Sequence, residues 1–143
     1  MTHRFIGTKE VVAWPQQKDG ADGYGVKYAD GYTSWSPRAA FEDSYRTSEP
    51  GMEQALNYGD ALHYLKLGKK VARAGWNGKG MFIFLVSGST FKVNRPPLLG
   101  IYPEGTEIQY RAHVDIKNVD GSIATWVPSQ GDHLAEDWMV LSD

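Results

Sequence analysis

The sequence predicts an α+β fold, with a small, mostly antiparallel sheet, short helices and a small β-rich N-terminal extension. Helical and strand periodicities alternate along the chain, and Asp-Gly pairs separate several strand patterns. The 143 residues are 41% hydrophobic, which is enough for a packed core. A polar stretch with Pro and Gly at residues 46–51 interrupts the flanking patterns. We therefore predict a small N-terminal domain over residues 1–48, ending in a short helix, and a main domain over residues 52–143.

The N-terminal extension has a hairpin signal in the Asp-Gly pair at residues 30–31. The pair joins alternating aromatic segments at residues 24–28 and 32–35, so it predicts two antiparallel strands. Ser36 and Pro37 then predict the N-cap and the first position of a short helix. So small a unit buries little apolar surface, and we expect it to need the rest of the protein for stability.

The main domain begins with an amphipathic helix. Its apolar residues follow the spacing i, i+3, i+4 and i+7, which places them on one helical face. They are Tyr58, Ala61, Leu62 and Leu65. Asn57 is suited to cap the start of this helix, and Gly68 is suited to end it.

Strand patterns dominate the rest of the main domain. Residues 81–86 predict a strand buried on both faces, whereas residues 87–106 predict a mostly irregular segment. Residues 108–116 alternate apolar and polar side chains, which predicts one long, half-buried strand. Farther along, Ser129 predicts the N-cap of a short helix, with Asp132 at the capping-box position.

Charge and cysteine content exclude several function classes. The net charge is −2, so no broad basic field exists to bind DNA or RNA non-specifically. Cysteine is absent, which excludes disulfides, thiolate catalysis and Cys-ligated zinc, and suits a cytoplasmic protein. The longest apolar run, at residues 81–86, is too short to span a bilayer, so we expect no membrane association.

Catalytic patterns are weak in this sequence. A Gly-x-Ser-x-Gly nucleophile motif is absent. His113 and Asp115 share the polar face of one predicted strand, which would suit an acid–base or metal pair, yet no third ligand has a telling spacing. The simpler interpretation of this pair is a solvated sheet face. We therefore expect no catalytic residue, no metal and no cofactor.

Three turns carry the residue types that a nucleotide pocket needs: aromatic rings for a base, cations for phosphates, and amides or carboxylates for ribose. The first is the Gly-rich loop at 75–80, the second precedes the Pro-Pro pair at 96–97, and the third follows the strand near residue 126. The candidate ligand-binding residues are Trp76, Asn77, Asn94, Arg95, Trp126, Ser129, Gln130 and Asp132. Each turn also has a simpler interpretation. The loop at 75–80 would be a tight turn with a Trp at the edge of the core, and the segment before 96–97 would be a rigid surface loop. The segment after residue 126 would serve strand-end packing and a helix cap.

A series of motifs in the main domain resembles one known family. Arg-Ala-His-Val-Asp at 111–115 and Trp-Val-Pro-Ser-Gln at 126–130 are two of them. The others lie at residues 56–62, 68–73, 75–81, 93–98, 120–123 and 134–138. In this order they resemble the second type of Thoeris anti-defence protein, a family of short phage and prophage proteins. The resemblance covers about residues 56–143.

The resemblance implies a sponge, which binds the cyclic ADP-ribose isomer made by the Thoeris sensor and holds it without cleaving it. It also implies a homotetramer with ligand pockets between subunits, acting in the cytoplasm of the infected bacterial host. Cyclic dinucleotides are a second implied ligand class. By this resemblance, Trp76 and Trp126 would stack on or wall the ligand, and the six polar candidates would contact it.

Two other functions compete with the sponge. One is an enzyme that degrades the same nucleotide, with His113 and Asp115 as its reactive groups. The other is a phage structural or interaction protein whose tryptophans serve only cores and subunit contacts. Residues 1–46 lie outside the resemblance to the sponge family. They resemble small domains found in other phage proteins, and the functional inference does not extend to them.

Overall fold

The computed structural model describes residues 1–143, which form two compact units over residues 1–46 and 47–143. All named strand pairs in both units are antiparallel, and three short helices accompany them. The α+β class predicted from the sequence is therefore confirmed. None of the helices has the length and apolar character that crossing a bilayer requires.

The first unit is a three-stranded sheet followed by a helix. Strands β1 (Val12–Pro15), β2 (Gly23–Lys27) and β3 (Thr33–Pro37) pair in that order, and α1 covers Arg38–Ser44. The hairpin predicted between β2 and β3 is present. The predicted helix start was wrong by one position, because Pro37 still pairs with Gly23 in the sheet and is itself the N-cap.

Two glycines of β2 let tryptophan rings lie flat against the first sheet. A Cβ on Gly25 would meet the Trp14 ring at 2.3 Å, and one on Gly23 would meet the Trp35 ring at 2.4 Å. Val26 points to the opposite face and is 1% exposed. The strand alternation therefore separates a tryptophan-covered face from the face that carries the unit's buried side chain.

The second unit contains seven strands and two helices. Its strands are β4 (Val71–Arg73), β5 (Phe82–Val86), β6 (Ser89–Lys92), β7 (Glu107–Tyr110), β8 (His113–Lys117), β9 (Ile123–Thr125) and β10 (Trp138–Val140). Its helices are α2 (Tyr58–Lys66) and α3 (Gln130–Leu134). Five of the strands form one sheet with the order β10-β4-β5-β8-β9, and the other two form a separate ribbon, β6-β7.

The core of the second unit lies between α2 and the five-stranded sheet. Ala61 and Leu65, from the predicted apolar face of α2, are buried, whereas Leu62 at its margin is 36% exposed. The predicted caps of α2 are confirmed: Asn57 and the N3 residue form a capping box, and Gly68 follows the helix end at φ +84°. The buried core residues are Leu56, Ala61, Leu65, Val71, Ile83, Trp138 and Val140.

The long strand predicted over residues 108–116 is in fact two strands, and residues predicted to be irregular supply the partner of the first. Val86 pairs with His113, and Ser89 pairs with Tyr110. Both pairings follow the same antiparallel register, and they are separated by residues 87–88 on one side and residues 111–112 on the other. At the break, a Cβ on Gly88 would lie 2.8 Å from the backbone oxygen of Tyr110, so only glycine allows this approach. Beyond this break, β6 and β7 form a two-stranded ribbon that is separate from the five-stranded sheet.

The expectation that residues 81–86 form a strand buried on both faces was only partly correct. The strand covers Phe82–Val86, and Ile83 alone among its residues is fully buried. Phe82, Phe84 and Val86 lie on the opposite face, and they are half-buried because no helix packs across that face.

Candidate functional site

The structure sorts the predicted ligand-binding residues into two groups within the second unit. The first group surrounds a set of tryptophans and comprises Trp76, Trp126, Ser129 and Asp132. The second group lines a cavity and comprises Asn94 and Arg95. The remaining two, Asn77 and Gln130, directly follow Trp76 and Ser129 in the sequence and are exposed.

Trp76 and Trp126 of the first group belong to what we call the tryptophan cluster, which also contains Tyr58 and Trp138. Trp138 is 0% exposed, and its ring centroid lies 5.5 Å from that of Trp76 and 6.1 Å from that of Trp126, with edge-to-face geometry. The ring centroids of Trp76 and Trp126 are 6.4 Å apart, and both side chains are half-buried against the core. Each of these two rings therefore packs on the core with one part and leaves another part accessible.

Asp132 connects this cluster to the start of α3. Its Oδ2 accepts a hydrogen bond from the Ser129 backbone N–H at 2.9 Å, and its own N–H donates to Ser129 Oγ at 3.1 Å, which confirms the predicted capping box. Its Oδ1 accepts from Arg73 Nη1 at 2.9 Å and lies 3.4 Å from Trp76 Nε1. Asp132 is 8% exposed, so its carboxylate is engaged within the chain.

Arg73, at the end of β4, carries the positive charge of this region. Its Nε donates to Asp137 Oδ1 at 2.8 Å while its Nη1 binds Asp132, so one guanidinium joins two carboxylates. The other oxygen of Asp137 accepts from the backbone N–H of Gly75 at 2.8 Å. A Cβ on Gly75 would lie 2.7 Å from that oxygen. Arg73 therefore links the loop that carries Trp76 to the start of α3.

The three charged groups hold one another ionised. Burial acts to raise the pKa of Asp132, but hydrogen bonds from Ser129 and Arg73 outweigh it, so this pKa lies below its ordinary value. Burial also acts to raise the pKa of Asp137, but hydrogen bonds from Arg73 and from the Gly75 backbone N–H outweigh it, so this pKa is lowered. The hydrogen bonds to Asp137 and Asp132 in turn raise the pKa of Arg73.

The second group lines a cavity of about 770 Å³ beside the β6-β7 ribbon. Its lining contains two cations, Lys92 and Arg95, and no carboxylate, so we call it the cationic cavity. Phe91 and Tyr110 form an edge-to-face pair, with centroids 5.1 Å apart, and provide an aromatic wall. The other lining residues are Ser89, Val93, Asn94, Pro96, Pro97 and Leu98. The volume falls in the range of about 300–1,000 Å³ that is typical of small-molecule sites.

Backbone contacts on both sides fix the segment that carries Asn94 and Arg95. Val93, directly before it, is 1% exposed, donates its N–H to Thr106 and accepts from Gly105. The carbonyl of Arg95 itself accepts from the Leu99 N–H at 3.0 Å. The side chains of Asn94 and Arg95 remain exposed on this fixed backbone, which limits the entropy lost when a ligand binds them.

His113 and Asp115, the candidate reactive pair, lie outside both groups. His113 Nε2 is 3.3 Å from Asp115 Oδ1, and that oxygen is buried without a hydrogen bond of good geometry. The structure contains no cluster of three or more His, Cys, Asp or Glu side chains that could hold a metal ion. The pair therefore has neither a third ligand nor a place in the lining of the cavity.

Several residues of the two groups were not found by sequence reasoning. Phe91 and Lys92 fell in the segment predicted to be irregular, and Tyr110 was assigned only to the apolar face of a long strand. Arg73 and Asp137 form an ion pair although they are 64 positions apart in the sequence, and no local pattern predicts such a pair. The sequence offered two signals: the Arg-x-Gly sequence after a strand, which many loops share, and the motifs at residues 68–73 and 134–138, which contain Arg73 and Asp137.

Comparisons with known proteins agree on the second unit. The model of the Thoeris anti-defense 2-like domain family matches residues 56–141. A phage protein, Thoeris anti-defense 2 of Bacillus phage SP01, is 42% identical to this chain over 91 residues. That match covers 64% of this chain and the whole of the phage protein. The matched segment contains both the tryptophan cluster and the cationic cavity.

Proposed function

The chain belongs to the Thoeris anti-defense 2-like family, and from this premise we propose that it is a sponge for a nucleotide signal. Family membership supports a role in countering the Thoeris defence during phage infection. The proposed mechanism is capture: the protein binds a cyclic ADP-ribose isomer in the cytoplasm of the host and does not degrade it. The Thoeris effector then lacks its activator.

The observation that carries this proposal is the chemistry of the cationic cavity. A cyclic ADP-ribose isomer carries a pyrophosphate and an aromatic base. Lys92 and Arg95 provide charge for the phosphates, and Phe91 and Tyr110 provide rings for the base. No carboxylate is among the lining residues, so the charge that an anion meets in the lining is positive; Glu107, the cross-strand partner of Lys92, lies outside the lining. The lining also lacks histidine and carboxylate, the side chains that most often activate water, which favours binding over hydrolysis.

The tryptophan cluster supplies the second half of the proposed site. Trp76 and Trp126 keep accessible surface at the edge of the core, and Asn77, Ser129 and Gln130 lie beside them in the sequence. None of these residues lines the cavity of the same chain. We propose that the chain forms a homotetramer in which a subunit interface joins the two groups around one ligand. Asp132, which the chain engages internally, supports Trp76 rather than the ligand.

A capture-and-release experiment tests the function. Purified protein is mixed with the Thoeris-derived cyclic ADP-ribose isomer, unbound ligand is removed by filtration, the protein is denatured by heat, and the released nucleotide is identified. We expect intact signal to be depleted from the filtrate and recovered on denaturation. Recovery of an altered nucleotide would instead identify an enzyme and direct attention to His113 and Asp115.

Matched variants locate the capture site in the same experiment. Arg95→Gln removes a cavity cation, and we expect capture to weaken about tenfold or more, since a charge-assisted hydrogen bond contributes roughly 1.5–3 kcal/mol. Lys69→Gln removes a cation that pairs with Asp143 at 3.0 Å on the surface, and it should capture normally. A cyclic dinucleotide run in parallel tests the second ligand class. If neither nucleotide is depleted, the sponge is excluded and a structural or interaction role is favoured.

A further inference from the structure

We infer that Arg73 is a positioning residue of the capture site, which holds the two loops of the tryptophan cluster in the geometry that binds the ligand. This inference rests on the proposed function but concerns a residue outside the predicted ligand contacts. Arg73 acts through Asp132 and Asp137 and does not itself touch the nucleotide. Its loss is expected to weaken capture more than it destabilises the fold.

The first step is the connection from Arg73 to the loop of Trp76. Asp137 accepts from Arg73 Nε at 2.8 Å through one oxygen and from the Gly75 N–H at 2.8 Å through the other. The Trp76 N–H lies 3.3 Å from the Arg73 carbonyl oxygen, to which it donates. The backbone directly before the indole is thus held by one carboxylate, and Arg73 fixes the orientation of that carboxylate.

The second step is the connection from Arg73 to the turn after Trp126. Asp132 accepts from Arg73 Nη1 at 2.9 Å through the same oxygen that lies 3.4 Å from Trp76 Nε1. Its other oxygen accepts from the Ser129 N–H. One guanidinium therefore holds the loop that carries Trp76 and the helix cap three residues after Trp126. It reaches the Trp76 ring through a single intermediate atom.

The requirement for arginine follows from the geometry. Two nitrogens of the planar guanidinium bind two different carboxylates at the same time, with the side chain only 22% exposed. The single ammonium of lysine keeps the charge but does not reproduce this fixed fork. We therefore expect Arg73→Lys to retain the fold and to recover only part of the capture that Arg73→Gln loses.

A double-mutant cycle separates positioning from general stability. Capture affinity for the cyclic ADP-ribose isomer is measured for the wild type, Arg73→Gln, Trp76→Ala and the double variant, with thermal melting of each. We expect Arg73→Gln to weaken capture about tenfold in the wild-type background and less than about threefold when Trp76 is already absent. An equal loss in both backgrounds would overturn the inference. Lys69→Gln serves as the control for removing a cation.

A second variant keeps the test decisive if Arg73→Gln does not fold. Gly75→Ala leaves every charge in place but introduces a Cβ 2.7 Å from Asp137 Oδ2, which displaces that carboxylate. We expect Gly75→Ala to weaken capture in the same direction as Arg73→Gln. Normal capture by folded Gly75→Ala would contradict the role assigned to this connection.

A ligand-free measurement separates failure of this inference from failure of the proposed function. Hydrogen exchange of the Trp76 indole N–H is followed by NMR, and its signal is assigned by its absence in Trp76→Phe. We expect exchange to be faster in Arg73→Lys than in the wild type, because Asp132 is no longer held beside the indole. Unchanged protection would refute the positioning role, whether or not any nucleotide is captured.

Discussion

The tryptophan cluster and the cationic cavity differ in how their polar groups are satisfied. Beside the cluster, the carboxylate oxygens of Asp132 and Asp137 accept hydrogen bonds from Arg73 and from backbone N–H groups. In the cavity, Asn94 and Arg95 lie exposed on a backbone that is fixed by its neighbours. The cluster is therefore part of the architecture of the second unit, whereas the cavity presents the exposed side chains of Asn94 and Arg95.

This difference bears on how mutations should be interpreted. A change in the cluster alters the core and the site together, because Trp76 and Trp126 pack on buried Trp138. A change at the exposed cavity residues Asn94 or Arg95 alters the site alone. Loss of capture in a cavity variant is therefore direct evidence of ligand contact, whereas the same loss in a cluster variant requires a measurement of stability beside it.

The largest effect is expected from Trp138→Ala. Trp138 is 0% exposed and donates its indole N–H to the Asp132 carbonyl at 3.0 Å. Its truncation should lower the free energy of unfolding by about 3–5 kcal/mol, measured by urea denaturation. Arg95→Ala, the cavity control, should stay within about 0.5 kcal/mol of the wild type. Similar losses in both variants would show that the cavity is as structural as the cluster.

The next largest effect is expected on capture from Tyr110→Ala. Tyr110 forms the aromatic wall with Phe91 and is 50% exposed. Since an aromatic ring stacked on a base contributes about 1–3 kcal/mol, the affinity for the cyclic ADP-ribose isomer should fall about tenfold in calorimetry. Tyr102→Ala removes a tyrosine that is 44% exposed and lies outside the cavity, and it should bind normally. Equal affinities would place the base elsewhere.

A smaller effect on stability is expected from Ser129→Ala. This change removes the acceptor for the Asp132 N–H at the start of α3 and should cost about 1 kcal/mol in thermal or urea unfolding. Ser142→Ala, near the C-terminus, should have no measurable effect. If Ser129→Ala is as stable as Ser142→Ala, the cap does not contribute to holding the cluster.

The smallest effect is expected in the pH dependence of stability. Because its pKa is lowered in the folded protein, Asp137 stabilises the fold fully above the ordinary carboxyl value of 3.8, and this contribution is lost as pH falls through the lowered pKa. The melting temperature of Asp137→Asn should therefore lie below that of the wild type at pH 7, and the gap should narrow towards pH 2. The difference should not exceed about 1 kcal/mol, since the pair is partly exposed. A constant gap would show that ionisation of Asp137 does not matter.

Local sequence signals predicted the caps of α2 and α3 and the hairpin of the first unit, and missed the N-cap of α1 by one residue. The capping boxes at Asn57 and Ser129 depend on residues three apart, and the Asp-Gly hairpin of the first unit depends on adjacent residues. Such features are determined by nearby atoms, so the sequence contains all that is needed to recognise them.

Predictions that needed longer-range information failed. The alternation at residues 108–116 is real, yet the chain forms two strands, and at the break Gly88, from another segment, closely approaches Tyr110. Periodicity reports which side chains share a face, but not which sheet the strand joins. For the same reason, the sequence did not predict the β6-β7 ribbon or the aromatic wall that this ribbon gives the cavity.

For the candidate site, the sequence by itself determined the α+β class, the caps of α2 and α3, and the turns where Trp76, Asn94, Arg95 and Trp126 would be found. Only the tertiary structure decided how these turns are used. It engaged Asp132 within the chain, brought Arg73 to it from 59 positions away, and opened the cavity beside the ribbon. The physical reason is that caps and turns are fixed by neighbouring residues. By contrast, burial, charge pairing and cavity shape depend on which distant segments pack together.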